Sequence, residues 1–226
     1  MWAIAKKDFK SLFYSPIGYI VVAVFLASMG IIMYMLSINS RTIEFNYVYN
    51  YLARYSLPII VGLITMKSFS EEKSKDTEKI LFSASKNMLK IIFGKIIAVM
   101  LVIIIAVSIS FFYCLLFSKF GSINSRLFIT IFCFLLLSFS YTSIGVMISS
   151  FTENQIVSAI ITIIFLLSPV FLPYGKSVFS YLALSNYYAQ ICEGRLSIAT
   201  IIVFISIAIT SIALAVIENK RNRKYN

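Results

Sequence analysis

Four of the nine acidic residues of this chain, Glu71, Glu72, Asp76 and Glu78, fall within residues 68–90, together with Lys73, Lys75, Lys79, Lys86 and Lys90. Clustered charge of this kind invites a search for catalysis or metal binding. The chain has no histidine, so the commonest acid/base group and the commonest zinc ligand are missing. Cys114 and Cys133 lie in apolar segments and Cys192 in a polar loop; the count is odd and no pair has metal-ligand spacing. They read as small buried hydrophobes. A phosphate-cradling G-x-x-x-x-G-K-[ST] motif is also missing, since Gly94-Lys95 stands alone at the entry to an apolar run. No catalytic, cofactor-binding or metal-binding residue is assigned, and the charged stretch needs another explanation.

Its surroundings supply the context. The chain is 60% hydrophobic and 13% charged, against about 45–50% and about 25% in a soluble domain. Its mean hydropathy is +0.91. A soluble fold has no means of hiding so much apolar surface, so the bilayer is the expected solvent. The apolar runs are continuous rather than alternating, which points to helices and away from a barrel.

Six spans are expected, at 17–36, 47–66, 91–117, 127–149, 156–172 and 198–217, in an all-α membrane protein that forms a single transmembrane unit over 1–226. Residues 1–16 place Trp2, Ala5, Phe9, Leu12 and Phe13 at helical spacing, with Lys6, Lys7 and Lys10 off that stripe. This predicts an amphipathic helix lying on an anionic leaflet, ended by Pro16. The second span holds Pro58, where a kink is tolerated, and Arg54, which can snorkel. Residues 173–197 are too polar to span fully and read as an extracellular re-entrant or surface helical segment.

Six spans put both termini on one side. With that side cytoplasmic, fourteen Lys and Arg residues fall inside and six outside (Arg41, Arg54, Lys119, Arg126, Lys176 and Arg195). The positive-inside rule therefore places both ends in the cytoplasm of a multi-pass cell-membrane protein. The net charge of +11 is then largely a topology signal and requires no nucleic acid.

Residues 68–90 become a cytoplasmic loop. Asp76 can cap a short helix starting at Thr77, with Glu78 in its first turn. Leu81, Ala84 and Met88 share helical spacing, Ile80 and Phe82 add apolar surface, and Asn87 can cap the next span. Acids contribute little to orientation, so the loop carries more charge than topology needs. A docking element for a cytoplasmic partner explains acids and apolar face together; a solvated connector is the simpler alternative.

The run EEKSKDTEKILFSASKNMLKIIFGK resembles ABC transporter permeases of the second type. Glu71 and Glu72 match that family's acid pair, Thr77 its threonine, Ile80 and Leu81 its apolar turn, and Gly94-Lys95 its entry into the third span. Asp76 stands where glycine is usual and Ser85 where proline is usual. The N-terminal KKDFKSLFYSPIGYIVVAVFLASMG resembles the gliding-motility-like branch, and ISSFTENQIVSAIITIIF resembles the family's turn between spans four and five.

The resemblance implies a permease half of an ABC exporter. It implies that ATP and Mg are held by a separate cytoplasmic ATPase subunit, that a second permease half is present, and that membrane lipids surround both. Glu71, Glu72, Asp76, Thr77, Glu78, Ile80 and Leu81 would couple to the ATPase. The cargo would be hydrophobic or amphipathic (peptide, drug or lipid), and no substrate-binding residue is identified. The alternatives are an ion-coupled carrier and a non-transporting assembly factor. The first is disfavoured because no Asp or Glu falls in the middle of an expected span.

Overall fold

A computed structural model describes residues 1–39, 44–74, 87–117, 125–171 and 183–225. Every regular element among them is helical: α1 (Trp2–Tyr14), α2 (Ile17–Asn39), α3 (Phe45–Tyr51), α4 (Leu57–Thr65), α5 (Ser70–Ser74), α6 (Met88–Leu116), α7 (Ser125–Phe151), α8 (Gln155–Phe171), α9 (Leu184–Cys192) and α10 (Ile198–Tyr225). The all-α membrane architecture expected from composition is present. Five helices are long and apolar enough to cross a bilayer. α8 is apolar but has 17 residues, a rise of about 26 Å against about 30 Å of hydrocarbon.

α3 and α4 form one continuous rod, joined by a π-helical turn at Leu52–Ser56. The cause is local. Pro58 has no N–H to donate and its ring crowds the carbonyl one turn back. Widening the helix by one residue just before it lets the rod continue without a sharp kink.

α7 is the central helix. Its small polar residues Ser138, Ser140, Thr142, Ser143, Ser149 and Ser150, spread around the helix, are all buried. Most of these hydroxyls return a hydrogen bond to their own helix; Ser140 donates also to the Phe204 carbonyl of α10 at 2.9 Å. Small residues let backbones approach where no hydrophobic force separates helix from lipid. A side chain on Gly145 would sit 2.5 Å from Thr65 Oγ1, so α4 and α7 can meet there only without one.

The contacts fix which helix ends lie together. Phe69, Met88, Ile91, Ile92, Ile96, Val146, Ile212, Ala215 and Val216 form one buried cluster, with Ile4 of α1 packed on it. The end of α4, the start of α6, the ends of α7 and α10 and the beginning of the chain therefore share one end of the bundle. Both termini lie there. At the other end, Tyr188 of α9 donates to the Thr130 carbonyl of α7 at 3.1 Å, and Phe111 of α6 meets Phe128 of α7.

Segment 173–197 is only partly within the described residues. Its described part contains α9, which packs Leu184, Ser185, Tyr188, Ile191 and Cys192 inward. Cys192 is thus not in a polar loop but buried as the last residue of this helix. The polar Glu193-Gly194-Arg195 that follows masked the i, i+4, i+7, i+8 pattern of the buried face.

Candidate functional site

The charged stretch begins inside the bundle. α4 ends at Thr65, and after a bend the chain enters α5. Phe69 and Ser70 are wholly buried, and Glu72 nearly so. This turn is pinned on two sides.

On one side is a buried ion cluster. Lys95, on the first turns of α6, is 2% exposed. Its Nζ lies 2.8 Å from Glu72 Oε2 and 3.6 Å from Asp8 Oδ2. It donates to the Ser68 carbonyl at 2.5 Å and stands 4.7 Å from the centre of the Phe69 ring. Lys7 of α1 reaches Glu72 Oε1 at 3.6 Å. The deeply buried cation, Lys95, thus faces two carboxylates, and the mostly exposed Lys7 pairs with Glu72 from the rim. They tie α1, α5 and α6 together. Gly94 permits this, because a side chain there would come within 3.1 Å of Ile4 and of the Met1 carbonyl. A cavity of about 30 Å³ opens beside Lys95, lined by the polar Asp8, Ser11, Lys67 and Ser68 and by the apolar Leu12, Ile64, Ala98 and Val99.

On the other side is a hydroxyl clasp. Ser149, at the end of α7, accepts from the Phe69 and Ser70 N–H groups at 2.9 and 3.1 Å. The Ser70 hydroxyl lies 3.1 Å from Ser149 Oγ and 3.0 Å from Thr152 Oγ1. Lys73 donates to the Ser150 carbonyl. The first N–H groups of α5, which no intrahelical acceptor can serve, are thereby satisfied by another helix.

At the other boundary of the stretch, Asn87 caps α6, accepting from the Leu89 N–H at 3.2 Å. Between the two anchors lie residues 75–86, which hold Asp76, Thr77, Glu78, Ile80 and Leu81 and fall outside the described residues. Of the seven residues expected to couple, only Glu71 and Glu72 are therefore placed. Glu71 sits on the partly exposed side, 4.0 Å from Lys67. Glu72 points inward to Lys95. Adjacent on the helical turn of α5, the two acids point in different directions, Glu71 toward Lys67 and Glu72 toward Lys95. Lys95 and Asp8 were not singled out as a pair. The available signal was a lysine standing one turn inside an apolar run, with a lone acid in the basic segment 6–10.

The arrangement has no nucleophile paired with a base, and among the described residues no His, Cys, Asp and Glu cluster suited to a metal. The described ends of the charged stretch, at Ser70–Ser74 and at Asn87, lie at the same end of the bundle. A family model for ABC-2 family transporter proteins matches residues 10–169. The chain belongs to that family. The matched region runs from α1 through most of α8 and includes the whole charged stretch. No curated protein matches the chain. An ABC-2 permease is the transport subunit of its complex, which works with an ABC ATPase subunit and, typically, a second permease.

Proposed function

We propose that this ABC-2 chain is one permease half of an exporter in which a separate ATPase subunit drives residues 68–90 as a coupling element. The observation that carries the reading is the anchoring of that segment. A connector serving only topology has no need of the buried fixtures that hold its first end at residues 69–72, whereas a lever needs them to deliver displacement to the helices. In this reading the loop-bearing end is cytoplasmic, with both termini, and α8 supplies the sixth crossing. Gathering of the termini at one end and the excess of basic residues there support it. The carboxylates lie at the end of the bundle rather than at mid-depth, which speaks against a proton-coupled carrier. ATP and Mg belong to the partner subunit. Within the family we assign the chain to the gliding-motility-like branch on the resemblance of its N-terminal segment, and the cargo is a hydrophobic or amphipathic molecule moved along the interface between two permease halves.

The test is affinity purification of the tagged chain from its own membranes, with identification of what accompanies it. An ABC ATPase subunit is expected. Leu81→Asp would place an unpaired charge in the partner's pocket. Loss of an anchor contributing about 2 kcal/mol lowers association roughly thirtyfold, with membrane insertion unchanged. Normal ATPase recovery and full export in that variant would leave 68–90 as a connector.

A further inference from the structure

The segment's first turn is fastened twice, and the two fastenings differ in chemistry. This difference says which one yields when the segment moves. The clasp on α7 is made of buried hydroxyl and amide bonds together with the Lys73 bond to the Ser150 carbonyl, close to the exposed turn at Glu153 and Asn154. Its hydroxyl and amide bonds join neutral groups, each of small net worth. The fastening on α1 and α6 is a lysine 2% exposed, with its charge matched by Glu72 and Asp8. Withdrawing Glu72 would leave that buried lysine with only Asp8 as a charged partner, beside the Ser68 carbonyl.

We infer that Lys95 is a positioning residue for coupling: it holds α5 to α1 and α6 as one block, so that displacement of residues 68–90 carries the N-terminal helix with it and opens the serine clasp on α7. The inference rests on the coupling reading above. Its content is the direction of transmission, to the first and third membrane helices through α1 and α6 and away from α7. Gly94 serves the same end, because the close seat of Ile4 on α6 leaves α1 no room to slide independently.

The experiment measures two distances by double electron–electron resonance in the full complex, co-purified through a tag on this chain and reconstituted in lipid nanodiscs. Spin labels go on the exposed positions Lys10 and Ser74 in one sample and Ser74 and Glu153 in the other, in a background with Cys114, Cys133 and Cys192 replaced. Each pair is read without nucleotide and with Mg-ATP plus vanadate. The expected result is an unchanged Lys10–Ser74 distance and a longer Ser74–Glu153 distance on nucleotide. A nucleotide-dependent Lys10–Ser74 distance would overturn the role of Lys95 and leave the coupling reading standing. No change in either pair would overturn the coupling reading itself, and the inference with it. Lys95→Met should make the Lys10–Ser74 distance nucleotide-dependent and lower export per ATP hydrolysed at least fivefold while the ATPase still co-purifies, and Lys95→Arg should restore the wild-type pattern. A Lys95→Met complex with wild-type distances and export would refute the inference. Should that variant fail to assemble, the wild-type distances decide alone.

Discussion

At the loop-bearing end of the bundle, Lys95 of α6 lies buried between Glu72 and Asp8. At the other end, some 22 Å further along the same helix, Ser110 of α6 lies 2.8 Å from the Tyr49 hydroxyl, and Tyr188 donates to Thr130 nearby in the same core. The rings of Phe25, Tyr49 and Tyr188 surround Phe134 at centroid distances of 5.6 to 6.1 Å. One end is registered by charge and the other by aromatic packing with neutral hydroxyl bonds. The lesson lies in what each loses when disturbed. Neutral bonds can fail singly, and the surrounding rings still fill the space. A charge cluster fails as a unit, because each member that leaves strands another. Charge is therefore suited to the end where several elements must keep register while they move.

The comparison can be broken by substitution. Glu72→Gln removes half of the compensation of Lys95 and should cost about 3 kcal/mol, the lower edge of the range for breaking a buried pair, since Asp8 and the Ser68 carbonyl remain. Thermal unfolding of the purified chain in detergent measures it; a shift no larger than that of an exposed acid such as Glu153→Gln would show that the cluster is not buried as a unit. A companion variant, Glu72→Met with Lys95→Met, should recover part of the loss, because the stranded charge is gone.

At the aromatic end the effect should be smaller. Tyr188→Phe keeps the ring against Phe134 and removes one bond to a carbonyl, so about 1 kcal/mol is expected. The same unfolding measurement applies. A loss equal to that of Glu72→Gln would erase the contrast between the ends.

The smallest effect expected is on thiol chemistry. Burial pushes the Cys192 thiol up to about 12. A thiol raised this far stays protonated throughout the neutral range, and the thiolate is the reactive form. Maleimide at pH 7 should leave Cys192 unmodified in the folded protein and modify it after denaturation in sodium dodecyl sulfate. Ready labelling in the native state would mean that α9 does not pack on α7 and α3, and would remove Tyr188 from the aromatic cluster.

Much of the scaffold was legible in the sequence because it depends on local pattern. Continuous apolar runs gave the long helices, Asn87 announced the start of α6, and Pro58 announced a disturbance in the second helix. The form of that disturbance, a π-turn at Leu52–Ser56, was not legible, since a proline can be accommodated by a kink or by a widened turn. The site was legible only as a location. That residues 68–90 are the most charged stretch follows from counting, but whether Glu72 faces solvent or Lys95 depends on a bend at residues 66–69. The partners that complete the cluster are far apart in the chain: Asp8 lies 87 residues from Lys95, and Ser149 is 79 residues from Ser70. No periodicity links such positions. Their pairing is a property of how α1, α5, α6 and α7 converge.

The central claim is that an ATPase subunit engages residues 68–90. A photo-crosslinking amino acid such as benzoylphenylalanine in place of Leu81, with a second variant carrying it in place of Ser197 beside the start of α10, tests this in intact cells. Ultraviolet irradiation should join position 81 to an ABC ATPase polypeptide, while position 197, at the opposite end of the bundle, should give no such adduct. An ATPase adduct from position 197, or none from position 81 in a cell that exports normally, would contradict the account.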